Sequence, residues 1–208
     1  MDNKTSVAVL VSGGGTNLQA LIDAQNSGLL PHADLELVVS NVRDAYALER
    51  AKAAGAKTAI VIKKELGSQK AFEERLLKIL EAHEIDLIVL AGFLNILSAD
   101  FIRHYPNRII NVHPSLIPSF CGKGFYGLKV HEAALNYGVK ITGATVHFVN
   151  EVPDGGKIIL QKAVEVHDDD TPETLQLRVM QEAEWKLLPQ AVELVAKQLY
   201  DEYYQERN

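Results

Sequence analysis

Short apolar runs and amphipathic stretches take turns along the first half of the chain. The runs are 6–11 (SVAVLV), 35–40 (LELVVS), 57–62 (KTAIVI) and 86–91 (DLIVLA). DLIVLA is almost wholly apolar, as a parallel strand covered by helices on both faces requires. Between the runs, apolar positions recur at helical spacing. One such segment covers 18–24, and a second covers 45–54 and ends at Gly55, a helix-stop residue. A longer one is capped by Ser68 and runs through Ala82, with Phe72, Leu76, Ile79 and Leu80 along one stripe.

A short helix at 100–105 precedes another strand that ends in Asn111, Val112 and His113. Strand–helix alternation of this kind predicts an α/β fold with a doubly wound, mostly parallel sheet and right-handed crossovers. The pattern then changes. Runs 141–149 (ITGATVHFV) and 157–166 (KIILQKAVEV), joined through NEVPDGG, predict an antiparallel strand pair. From Pro172, a favoured first helical position, a long C-terminal helix is expected toward Tyr204, interrupted at Pro189. No linker or repeat divides the chain, so 1–208 is expected to form a single domain.

Chemistry gathers where strands end. Side chains alternate faces along a strand, so Asn111 and His113 point the same way, and Pro114 fixes the exit. Open α/β sheets bind ligands at the carboxyl edges of their strands. SGGGTN (12–17) occupies the same kind of edge, between the first strand and first helix. It lacks the third glycine of a dinucleotide site, because Leu18 stands there, and the Gly-Lys-Ser/Thr of a triphosphate loop. Two readings stay open: a single phosphate held by the amides of Gly15, Thr16 and Asn17, or a tight turn.

Asp154 lies in an Asp-Gly turn, and spacing alone does not pair it with His113. An Asn–His–Asp group without a nucleophile suits proton transfer and oxyanion stabilisation. His147, inside TVHFV, reads as structural. His, Asp and Glu do not cluster at ligand spacing, so no metal is expected.

Composition narrows the classes. The chain is 47% hydrophobic with a net charge of −6, and no run of Lys and Arg suggests a nucleic-acid or membrane surface. One cysteine, Cys121, allows no internal disulfide and points to a reducing compartment. No apolar run approaches the roughly 20 residues that span a bilayer, and the amino terminus does not read as a secretory signal. A cytoplasmic location is expected.

VLVSGGGTNLQALID, LIVLAGFLNILS, IINVHPSLIPSF, GATVHFVNEVPDGGKIILQKAV and AEWKLLP stand in that order. Together they resemble the phosphoribosylglycinamide formyltransferase family, which takes its formyl group from 10-formyltetrahydrofolate in purine synthesis. The resemblance covers nearly the whole chain. It implies that Asn111, His113 and Asp154 are catalytic, with Asp154 raising the pKa of His113. It also implies that Gly15, Thr16 and Asn17 bind the phosphate of glycinamide ribonucleotide, and that Glu184 contacts the same substrate.

The resemblance further implies that Leu94, Asn95, Ile96 and Leu97, together with Asn111, Gln69 and the 151–156 loop, meet the folate. Two departures stand out. Gln69 and Asn95 replace residues that are usually basic, so weak dependence on the folate's glutamate tail is expected unless the adjacent Lys70 supplies the charge. SFCGKGFYG (119–127) is longer than usual, either a flap carrying Lys123 to an anion or surface structure. Cys121 within it has no neighbouring base in sequence and no expected catalytic role.

A methionyl-tRNA formyltransferase would need an additional RNA-binding domain and a basic surface. A formyltetrahydrofolate deformylase would have no use for a phosphate loop. A non-catalytic nucleotide-binding module is the rival of a different class. The expected partners are glycinamide ribonucleotide and a reduced folate, with the protein a monomer or homodimer.

Overall fold

The structure is a computed structural model that describes residues 4–205. Five parallel strands come first: β1 (Thr5–Val11), β2 (Ala33–Ser40), β3 (Lys57–Ile60), β4 (Leu87–Leu90) and β5 (Ile109–His113). Then β6 (Ile141–Phe148) and β7 (Ile158–Glu165) add antiparallel to β5 and to each other. The sheet order is β3-β2-β1-β4-β5-β6-β7. The chain winds outward from β1 to β3 and then resumes at β4 on the other side of β1. The β1/β4 junction is therefore the point where the winding reverses, and a crevice opens there at the strands' carboxyl ends.

Helices cover both faces: α1 (Thr16–Asn26), α2 (Tyr46–Ala53), α3 (Lys63–Leu66), α4 (Gln69–Ala82), α5 (Ala99–His104), α6 (Leu128–Tyr137), α7 (Pro172–Val179) and α8 (Trp185–Gln205). Alternation along β1 divides the core. Val7, Val9 and Val11 pack with Leu18 and Leu21 of α1, Leu48 of α2, and Leu188 and Val192 of α8. Ala8 and Leu10 face Phe72, Leu76 and Leu80 of α4 and Phe101 of α5. All four residues of β4 are buried, as its apolar composition requires. The Ser68 side chain caps α4 by accepting from the Ala71 amide at 3.1 Å.

Two elements depart from the sequence pattern. The third strand stops at Ile60, and Lys63–Leu66 forms a short helix. Val61 is buried and keeps one bond to the Ser40 carbonyl, so an apolar run continues beyond the ladder. The C-terminal helical segment breaks before the proline, not at it. Met180–Glu184 is a π-helical turn, and Pro189 lies within α8. Pro189 has no N–H to give the Trp185 carbonyl. Glu184, the last residue of the π-helical turn, is 5% exposed.

Candidate active site

After β1 the chain turns through three glycines into α1. Gly15 has φ 73°, and a Cβ there would lie 2.6 Å from that of Ala47, so glycine alone lets the loop approach α2 this closely. The Gly13 carbonyl accepts from the Ala47 amide at 3.1 Å, and the Gly14 carbonyl accepts from Arg50 Nε at 2.8 Å. Both acceptors are thereby turned onto α2. The first-turn amides of α1 have no intrahelical carbonyl to bind, and Gly15, Thr16 and Asn17 line the crevice.

Asn17 is buried beside them and donates through Nδ2 to Glu184 Oε2 at 2.7 Å. Burial pushes the Glu184 carboxyl above its ordinary range, and the Asn17 amide offsets this only in part. Asn17 Oδ1 is buried and accepts no hydrogen bond from any described residue.

Asn111 and His113 end β5, and antiparallel pairing puts His147 opposite Asn111 and Thr145 opposite His113. A bulge at Val146/His147 interrupts the β6–β7 register at this point. The turn between β6 and β7 brings in Asp154, which holds a left-handed φ of 55° that aspartate tolerates better than most residues. Asp154 Oδ2 lies 3.6 Å from His113 Nδ1, and Oδ1 lies 3.6 Å from His147 Nε2. Asn111 Nδ2 lies 3.4 Å from Asp154 Oδ1 and 3.2 Å from His147 Nε2. The carboxylate and the imidazole, far apart in sequence, are brought together.

Burial would raise the Asp154 carboxyl. The His147 ring, the charge of His113 and the Gly122 amide outweigh it, so the group sits below its ordinary value. His147, read from the sequence as structural, is an inner member of the group and 2% exposed. Its Nδ1 donates to the Phe148 carbonyl at 2.8 Å, and its Nε2 lies 3.2 Å from Asn111 Nδ2 and 3.6 Å from Asp154 Oδ1. The signal that could have found it is its position across the pair from Asn111. His131 on α6 is fully buried, and burial together with the His113 charge lowers its pKa to about 4, so it remains neutral beside its neighbour.

The 119–127 loop folds onto this group through its backbone. His113 Nε2 donates to the Phe120 carbonyl at 2.9 Å, and the Gly122 amide donates to Asp154 Oδ2 at 2.8 Å. Phe120 takes a left-handed φ of 49° and packs edge-on against Phe125 and Tyr137. The Thr145 hydroxyl donates to the Ser115 carbonyl at 2.7 Å and accepts from the Ile117 amide at 3.1 Å, fixing the chain that leads into the loop. Burial and the Asp154 charge raise the Cys121 thiol, so it stays protonated and a poor nucleophile.

A cleft of about 780 Å³ joins these parts; Gly15, Thr16, Asn17, Asn111, His113, Asp154 and Glu184 all line it. The 94–97 segment forms another wall. Leu94 and Ile96 line the cleft, with 64% and 65% of their surface exposed. Asn95, Leu97 and Gln69 are not brought to its lining: Leu97 turns into the core, and the Gln69 amide donates to the Ile96 carbonyl at 3.1 Å. Lys70, the possible substitute cation, faces solvent and lies 3.9 Å from Glu74. A larger groove of about 870 Å³ runs between α1 and α8, but the Asn–His–Asp group does not reach it. Among the described residues no group of His, Cys, Asp and Glu could hold a metal ion, and no helix is long and apolar enough to cross a membrane.

The pattern of the formyl transferase family matches residues 5–192. The phosphoribosylglycinamide formyltransferase of Haemophilus influenzae is 40% identical over 183 residues, 88% of this chain and 83% of that protein. The trifunctional purine biosynthetic protein adenosine-3 of Gallus gallus is 45% identical over 194 residues, 93% of this chain. The chain spans only 19% of that longer relative. Among solved structures, glycinamide ribonucleotide transformylase 1 from Symbiobacterium toebii superposes with a TM-score of 0.88 at 40% identity, covering 95% of this chain and 90% of that one.

Proposed function

The chain belongs to the formyl transferase family, and from that premise we propose that it moves the formyl group of 10-formyltetrahydrofolate to the amine of glycinamide ribonucleotide, a step of purine synthesis. The observation that carries this reading is one cleft lined by two kinds of group. On one side are backbone donors and Asn17 with Glu184, suited to the phosphate and the hydroxyl or amine groups of a ribonucleotide. On the other is an amide–imidazole–carboxylate group suited to acyl transfer without a covalent intermediate.

The nucleotide amine attacks the formyl carbon, the carbonyl π pair moves to oxygen, and a tetrahedral intermediate forms. The Asn111 N–H and protonated His113 stabilise that oxygen, with Asp154 as counter-charge to the ring; removing one such donor typically costs about 3 kcal/mol. When the intermediate collapses, the carbon–nitrogen bond to the folate breaks. The amine's proton passes, directly or through His113, to the departing folate nitrogen. Because the Phe120 carbonyl occupies His113 Nε2, productive binding turns that carbonyl aside. Leu94 and Ile96 offer an apolar wall for the pterin, and Asn95, Leu97 and Gln69 act through the backbone and support of that segment. The reaction has no step that calls for a metal, and we place the protein in the cytoplasm.

The test is formyl transfer from 10-formyltetrahydrofolate with and without glycinamide ribonucleotide. Folate release that requires the acceptor supports the reading. Equal release without acceptor would indicate a hydrolase, and nucleotide binding without folate binding would indicate a regulatory module; either would overturn it.

A further inference from the structure

The cleft is unusual in its charge. Among its described lining residues, Asp154 and Glu184 are acids, and Lys123 alone is a lysine or arginine. Arg50, near the glycine loop, lies behind it, bound to the Gly14 carbonyl and to Gln19 Oε1. A phosphate monoester entering beside two carboxyl groups needs compensating charge beyond the first-turn amides of α1, because like charges in a partly desolvated cleft repel.

Lys123 is exposed and makes no hydrogen bond or ion pair with any described residue. Gly122 and Gly124 on either side have left-handed φ of 86° and 98°, which glycine adopts without steric cost. One residue before it, the Gly122 amide is tied to Asp154 Oδ2 at 2.8 Å. The loop that delivers the cation thus also touches the carboxylate and, through Phe120, the imidazole of the catalytic group.

We infer that Lys123 is a specificity-determining residue, the loop-borne cation that recognises the phosphate of the acceptor. This rests on the proposed phosphate role of the loop at 13–17. Recognition of the phosphate by Lys123 draws the loop toward α1 and shifts the Phe120 carbonyl off His113. A phosphorylated acceptor thereby frees the imidazole that its own amine requires, and an acceptor without the phosphate leaves it covered.

The test compares Lys123→Gln and Lys123→Arg with the unaltered protein in two assays. The first is calorimetric titration with ribose 5-phosphate, with ribose as control, which needs no formyl transfer. Lys123→Gln should weaken ribose 5-phosphate binding roughly tenfold, Lys123→Arg should restore most of it, and the loss should shrink at high salt. The second is the acceptor KM, which should rise by a similar factor for glycinamide ribonucleotide and not for its dephosphorylated riboside. Unchanged ribose 5-phosphate binding in Lys123→Gln would overturn the inference. So would an effect confined to the KM of glutamate-tailed folate, which would make the lysine a partner of the folate tail. Failure of the unaltered protein to transfer formyl would fall on the functional reading alone, since the titration still reports on Lys123.

Discussion

Two carboxyl groups line one cleft and are treated in opposite ways. Asp154 is surrounded by partners, two histidines, an amide side chain and the Gly122 backbone, and they hold its proton affinity down. Glu184 is more deeply enclosed, accepts a hydrogen bond from the Asn17 amide, and has its proton affinity pushed up. The region around Asp154 is preorganised around a charge. The region around Glu184 withholds solvation from one, so it is finished only when a ligand supplies donors. One is a part of the site that stabilises the free protein, and the other is a part that the free protein maintains at a cost.

The largest effect expected from disturbing this contrast is on turnover. His113→Ala should lower kcat by about 10²–10³-fold with a smaller change in either KM, because the lost donor acts mainly on the intermediate's oxygen. Steady-state rates beside a circular dichroism check of folding measure this.

Next come two stability effects of opposite sign. Asp154 has a depressed pKa in the folded protein, so its contribution is present above the unfolded carboxyl range and is lost as pH falls through the folded value. Asp154→Asn should therefore cost roughly 1–3 kcal/mol at neutral pH, and the gap should close in acid. Denaturant melts at several pH values test it. Glu184 has a raised pKa, so its favourable contribution is fully present below the unfolded carboxyl range and is lost as pH rises through the folded value. Glu184→Gln should raise stability by about 1 kcal/mol at pH 8, with the gain vanishing in acid, while the acceptor KM rises. Identical pH slopes for the two variants would erase the comparison.

The smallest effect concerns the folate tail. With the Gln69 amide on the Ile96 carbonyl and Lys70 facing solvent, extending the tail by several glutamates should lower the folate KM by no more than about twofold. A KM series over tail length measures it, and a tenfold gain would show that another cation reaches the tail.

What the sequence makes legible follows from how each region is built. The β1 and β4 strands are nearly all apolar because both faces are covered, so composition alone locates them, and Ser68 and Gly55 mark helix ends by local backbone chemistry. The alternation of Asn111 and His113 is equally local. Their union with Asp154 is not, because it depends on the antiparallel register of β6 and β7, the bulge at His147 and a left-handed turn residue. His147 reads as structural in the sequence because alternation alone leaves its direction open; only the register opposite Asn111 places it in the group. The loop's hold on the site runs through the Phe120 carbonyl and the Gly122 amide, groups that every such residue carries, so side-chain identity gives no hint of it. The interruption in the C-terminal helical segment falls at Met180–Glu184 and not at Pro189, which lies within α8, and no residue type in that turn marks it.

Convergence of His113 and Asp154 on one carbon centre is tested most directly by a double-mutant cycle on kcat with His113→Ala, Asp154→Asn and the combination. If the two act as a unit, the combined variant is no slower than His113→Ala alone. Losses that multiply across the cycle would mean the carboxylate and the imidazole work independently, and the account of the site would be wrong.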